Sequence, residues 1–141
     1  MKTAIDPRHQ ARRLALAKIY SLETTDNTNT NLSEDIVKET LDIKNIDKKL
    51  YTKICEGVEK KHDELLERIS RNSTDWELKK IFKVDLTILL IATWELLYNT
   101  APTKVVIDES VELAKEFGSD DSTRFINGVL AGITDEINND K

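Results

Sequence analysis

The chain holds one cysteine, two prolines, four glycines and two histidines in 141 residues. A lone Cys55 excludes an internal disulfide. His9 and His62 lie far apart and offer no metal-ligand spacing, so neither a metal nor a cofactor is expected. With so little glycine and proline, and few apolar–polar alternations, hairpins and strands have little to be built from. No apolar run reaches the roughly 18 residues of a membrane span, and the N-terminus lacks the apolar stretch of a signal peptide. These absences point to a cytoplasmic protein with no membrane contact. Catalytic constellations are missing too. There is no Gly-rich phosphate loop, no nucleophile elbow and no His/Cys/acid cluster, so no enzymatic activity is expected.

Hydrophobic residues make up 39% and charged residues 33%, enough for a soluble globular core. The length suits a single domain over residues 1–141. The net charge of −5 argues against non-specific coating of nucleic acid. Its distribution is uneven, however. Within residues 1–20, Lys2, Arg8, Arg12, Arg13 and Lys18 face only Asp6. A basic end on an acidic body suggests a local anion site, against the simpler reading of a solvated tail and helix face.

Asp6-Pro7 reads as a helix start, an acidic cap followed by proline at the first helical position. The helix runs to about Leu22, with Ala11, Leu14, Ala15, Ile19 and Leu22 as its core stripe. Leu16 and Tyr20 lie toward a second side, where burial competes with a partner surface. Residues 23–31 carry no apolar side chain and read as a loop. Ser33 caps a short helix with Ile36, Val37 and Leu41. A longer helix after Asp47 carries Leu50, Ile54, Val58, Leu65 and Ile69. Cys55 and His62 sit on it as packing or surface residues. Ser73-Thr74-Asp75 opens a short helix through Trp76 and Ile81. Residues 84–98 are apolar on nearly every side and should form the most buried helix.

The stretch from Pro102 to Ile133 organises the rest. Pro102 starts a helix with Val106, Val111 (or Ser110), Leu113, Ala114 and Phe117 at helical spacing, and Gly118 stops it in a left-handed turn. Asp120, Asp121 and Ser122 are competent caps for a final helix with Ile126, Leu130, Ile133 and Ile137 on one face. The acid pairs Asp108-Glu109 and Asp120-Asp121 fall at helix beginnings, where the dipole favours them. Asn127-Gly128 inside a helix costs roughly 1 kcal/mol against alanine. Close packing or the approach of a partner is expected to compensate.

A binding site is more plausible than a catalytic one. Lys104 lies at one helix N-terminus, and Asp121, Arg124 and Phe125 lie in the first turn of the next. Such N-termini present free N–H groups to phosphate. An aromatic beside an arginine can stack a base, and Asp121 can accept from a base edge, against the simpler reading of Phe125 as core packing.

The order Pro102, Val105, Asp108-Glu109, Val111 to Lys115, Phe117-Gly118 and Phe125 to Leu130 resembles the NusB family. Arg8, Ala11-Arg12, Leu14 to Ala17 and Ile19-Tyr20 are similar to that family's opening. Asp85, Ile88-Leu89, Ala92, Trp94 and Glu95-Leu96 are similar to its buried helix. Leu90 stands where an arginine is usual, and His9-Gln10 interrupt the basic cluster. The resemblance implies an all-α fold of about seven helices in two small packed bundles. It also implies a non-enzymatic factor that binds a boxA-type single strand of ribosomal RNA leaders. NusE, a ribosomal small-subunit protein, and the antitermination complex on RNA polymerase are the implied partners, with a homodimer possible in the free state. The implied RNA contacts are Lys2, Arg8, Arg12, Arg13, Lys104, Asp121, Arg124 and Phe125. Leu16, Tyr20 and Asp85 are the implied NusE contacts. Two other readings stay open: the NusB-like RNA-binding module of rRNA cytosine methyltransferases, and a helical protein-interaction adaptor with weak RNA affinity.

Overall fold

The computed structural model describes residues 6–24, 33–74 and 77–140. Lys2, most of the 23–31 loop, and Asp75-Trp76 lie outside the described residues. Among the described residues the fold is all-α, with helices α1 (Pro7–Thr24), α2 (Glu34–Thr40), α3 (Lys48–Lys60), α4 (His62–Asn72), α5 (Lys83–Tyr98), α6 (Thr103–Phe117) and α7 (Ser122–Asn139). The chain divides into two compact units, Met1–Glu56 and Gly57–Lys141, with the boundary inside α3.

In the first unit, Asp6 caps α1 as its sequence position suggests. Its Oδ1 accepts the N–H groups of Arg8 at 3.0 Å and His9 at 3.4 Å, two donors that the first turn leaves unpaired. Leu14 of α1 meets Val37 of α2 and Ile43 beyond it, with Ala17, Leu41, Ile46 and Tyr51 packed around them. Ser33 stands at the α2 N-cap without making a side-chain cap bond. Asp42 takes the left-handed turn after α2 at φ 55°, a conformation that acidic and amide side chains tolerate better than most. Asp47 caps α3 by accepting the Leu50 N–H at 3.0 Å, and its own N–H donates to the Pro7 carbonyl at 3.0 Å. Tyr51 and Cys55 share a hydrogen bond on α3, and burial pushes the Cys55 thiol up to about 11. It is therefore protonated and unreactive at neutral pH.

The second unit is built around α5, which packs against α4, α6 and α7. Every residue from Asp85 to Leu96 is buried, as the unbroken apolar pattern suggests. Each fully buried leucine or isoleucine here is worth about 1.5–3 kcal/mol against exposure. The buried Glu95 accepts the Thr100 hydroxyl at 2.6 Å, and Asn99 ends α5 in the left-handed region at φ 51°. Trp94 stacks on Tyr98 with ring centroids 5.2 Å apart. A Cβ at Gly57 would fall inside the Trp94 ring, so glycine is what allows this approach.

Several expectations need correction here. Leu22, expected in the core stripe of α1, is 59% exposed near the helix end. The stripe from Leu50 to Ile69 is shared by two helices, since Lys61 interrupts it with φ −107° and ψ 15°. Among the described residues of the segment before α5, a 3-10 turn at Leu78–Lys80 stands where a short helix was expected. Gly118 ends α6 in extended backbone, φ −90° and ψ −170°, and not in a left-handed turn. Glycine is required there for space: a Cβ would sit 2.6 Å from Ser122 Cβ and 2.8 Å from the Ala114 carbonyl oxygen.

On α6, Glu109 and Ser110 are buried beside Val106, Leu113 and Ala114, whereas Val111 is half-buried. Asp108 and Glu109 lie beyond the first turn of α6 rather than at the helix beginning expected for them, so the helix dipole does not explain the pair. Arg68 and Arg71 of α4 both reach Glu136 of α7 at 2.8 Å, tying the two helices together.

Candidate functional site

The turn between α6 and α7 sets the geometry of the site. Gly118 lets the chain fold tightly enough for the Ser119 N–H to donate to the Ser122 hydroxyl at 2.8 Å. That bond, with the burial of Ser122, fixes the first turn of α7. Asp121 holds the N-cap position in helical backbone and makes no side-chain cap bond, so its exposed carboxylate projects to solvent. Arg124 is exposed and Phe125 half-buried. Ile126, Val129, Leu130 and Ile133 supply the buried stripe, leaving Phe125 at its edge as the helical period requires.

Asp121, Arg124 and Phe125 line one groove with Ser119, Lys80, Ile81, Phe82 and Asp85. Its volume is about 540 Å³. The start of α5 forms one part of the lining and the start of α7 another. The groove combines two cations, two acids and two phenylalanines. Burial raises the Asp85 carboxyl above its ordinary value, and a hydrogen bond from Ser122 offsets part of that rise. Asp85 is only 5% exposed, and its Oδ1 has no hydrogen-bond partner.

The other sequence candidates fall elsewhere. Lys104 is exposed at the start of α6 and pairs with Asp108 at 2.9 Å, outside the groove. In the first unit, Arg8 is exposed, with its Nε 3.9 Å from Asp47. Arg12 is buried at 2% exposure, so it is not presented to solvent for a phosphate. Arg13 donates to the Leu41 carbonyl at 2.9 Å and to Gln10 Oε1 at 2.8 Å, which commits it to holding α1 and the α2 end together. Of these three arginines, Arg8 is the exposed one, Arg13 is half-buried and Arg12 is buried. Leu16 is buried, whereas Tyr20 is exposed. Asp85, expected on a protein-facing surface, is buried and joins the groove.

Lys80, Phe82 and Ser119 are lining residues that the sequence did not single out. The one available signal was Phe82 itself, an aromatic directly before the helix start, where a capping side chain is the norm. At Gly128 a Cβ would meet nothing within 4 Å, so close packing does not explain that glycine. No group of described residues is arranged to hold a metal ion, and no described helix is long and apolar enough to cross a membrane.

A family model described as the NusB family matches residues 9–135. Transcription antitermination protein NusB of Halothermothrix orenii is 38% identical over 126 residues, covering 88% of this chain and 93% of the relative. The protein of the same name from Staphylococcus aureus is 37% identical over 127 residues, covering 89% and 97%. Among solved structures, T. maritima NusB superposes with a TM-score of 0.73 at 30% identity, covering 96% of this chain and 94% of the other. Antitermination factors NusB and NusE in complex with dsRNA give a NusB-like chain at TM-score 0.77 and 22% identity, covering 94% and 98%, a likeness of fold.

Proposed function

Because this chain belongs to the NusB family, we infer that it is a transcription antitermination factor that binds boxA-type single-stranded RNA together with NusE, and that it does so without catalysing a reaction. One observation carries this reading. Asp121, Arg124 and Phe125 line a common groove with Lys80, where a cation, an acceptor and a half-exposed ring are within one ligand's reach. Arg124 and Lys80 hold phosphates, Phe125 stacks a base, and Asp121 accepts from a base edge. Arg8 supplies a further phosphate contact from the first unit. The exposed Tyr20 belongs to the NusE-facing surface. The same reading places the protein in the cytoplasm, in the antitermination complex on RNA polymerase, with a homodimer as a form of the free protein.

The test is a pair of titrations on Phe125→Ala, RNA binding and denaturant unfolding. Affinity for a boxA-type oligonucleotide should fall by ~1–3 kcal/mol, the range for one stacked base. The stability loss should stay well under the ~3–5 kcal/mol of a fully buried phenylalanine. Unchanged affinity in the folded fraction would return Phe125 to the core. Tyr20→Asp should weaken pairing with NusE and leave RNA binding by the free protein intact.

A further inference from the structure

Phe82 stands at the N-cap of α5, with φ −53° and ψ 128°, and makes no side-chain cap bond. Serine, threonine, aspartate and asparagine are preferred at such a position because their oxygen satisfies an orphan N–H of the first turn, which phenylalanine cannot do. Nor does the ring compensate by burial, since Phe82 is 51% exposed. The staple position before the cap is already filled by the buried Ile81. Phe82 is thus a poor choice for the fold on both counts. What it does is line the groove that Phe125 lines, from a different helix. Asp85 lines it too, more than nine-tenths buried and with Oδ1 lacking a donor. A buried acceptor without a partner carries a desolvation penalty that a ligand donor would relieve.

We propose that Phe82 is a second stacking platform, so that the groove holds two unpaired bases rather than one, with an exocyclic amino group of one of them donating to Asp85. This rests on the RNA-binding reading above and adds the number and chemistry of the bases. Lys80, two residues before Phe82 and also in the lining, supplies the cation for the phosphate beside the second base. Adenine, cytosine and guanine carry such amino groups and uracil does not. The groove therefore discriminates against uracil at the position facing Asp85.

The experiment compares the parent with Phe82→Ser, Phe82→Tyr and Phe125→Ala, using a labelled boxA-type RNA oligonucleotide, NusE and thermal unfolding. Serine caps better than phenylalanine, so Phe82→Ser should melt at or above the parent. It should bind the RNA roughly 5- to 150-fold more weakly, the loss of one stacked base. Phe82→Tyr, which keeps a stacking ring, should restore binding. Abasic substitution along the oligonucleotide should reveal one position whose loss weakens the parent but not Phe82→Ser, and a different one for Phe125→Ala. If Phe82→Ser binds RNA like the parent while Phe125→Ala is weakened, the second platform is refuted and the RNA-binding reading stands. If neither variant is weakened, the groove is not the RNA site and both readings fall. If Phe82→Ser loses affinity for NusE alone, the groove takes a protein segment and the two-base proposal is overturned.

Discussion

At the scale of single residues, Asp85 is the least comfortable group in the groove. Burial pushes its carboxyl up, and the Ser122 hydroxyl compensates only in part. A folded-state value above the unfolded one means that the folded chain holds the proton more tightly. The parent therefore gains stability from this group as pH falls through the folded value toward the unfolded one, and loses it as pH rises. Glu136 has the opposite sign, because hydrogen bonds from Arg71 and Asn72 hold its carboxyl low. Its contribution is present at neutral pH and disappears in acid. A pH profile of the parent alone mixes the two. The difference between parent and Asp85→Asn isolates Asp85. That variant should be the more stable of the two at neutral pH, with the gap closing in the acid range. Chemical unfolding at a series of pH values measures it, and a gap independent of pH would show that folding leaves the Asp85 carboxyl at its unfolded value.

At the scale of elements, the glycines separate packing from function. Gly57 faces the Trp94 ring, and Gly128 faces open space. Gly57→Ala should therefore destabilise the fold by about 1–3 kcal/mol, the usual cost of overpacking. Gly128→Ala should stabilise it by up to ~1 kcal/mol, the helix-propensity difference. Thermal unfolding of both variants checks the opposite signs, and a destabilised Gly128→Ala would mean a packing role for that position. Helix type and most core stripes were legible in the sequence, because Leu14, Ile54, Leu113 and Ile126 recur at the helical period and are all buried. The break at Lys61 was not. No glycine or proline marks it, the Leu65 N–H still reaches the Lys61 carbonyl at 2.9 Å, and the apolar spacing from Val58 to Leu65 runs on regardless. Phe125 was legible as an edge residue because it adjoins a complete stripe. Asp85 and Arg12 were not legible as buried, since nothing in a helical pattern tells which charged side chain is carried inward by its neighbours.

At the scale of the whole molecule, charge decides how RNA is held. A chain with 26 acids against 21 cations repels a polyanion overall, so affinity must come from a few placed contacts. The exposed cations assigned to phosphate are Arg8, Lys80 and Arg124. On single-stranded RNA each contact contributes about −0.7 to the slope of log affinity against log salt, so three give a slope of about −2. Arg124→Ala and Arg8→Ala should each flatten it by up to ~0.7. Arg12→Ala should leave the slope alone and lower stability instead, because truncating a buried arginine opens a cavity and strips its partners. Titrations over a range of salt, with the unfolding of each variant measured alongside, distinguish these roles. A parent slope several-fold steeper than −2 would mean that the basic N-terminal segment dominates binding. A slope reduced by Arg12→Ala would mean that this arginine swings out to meet the RNA, and that the buried position it holds in the free protein is one of two.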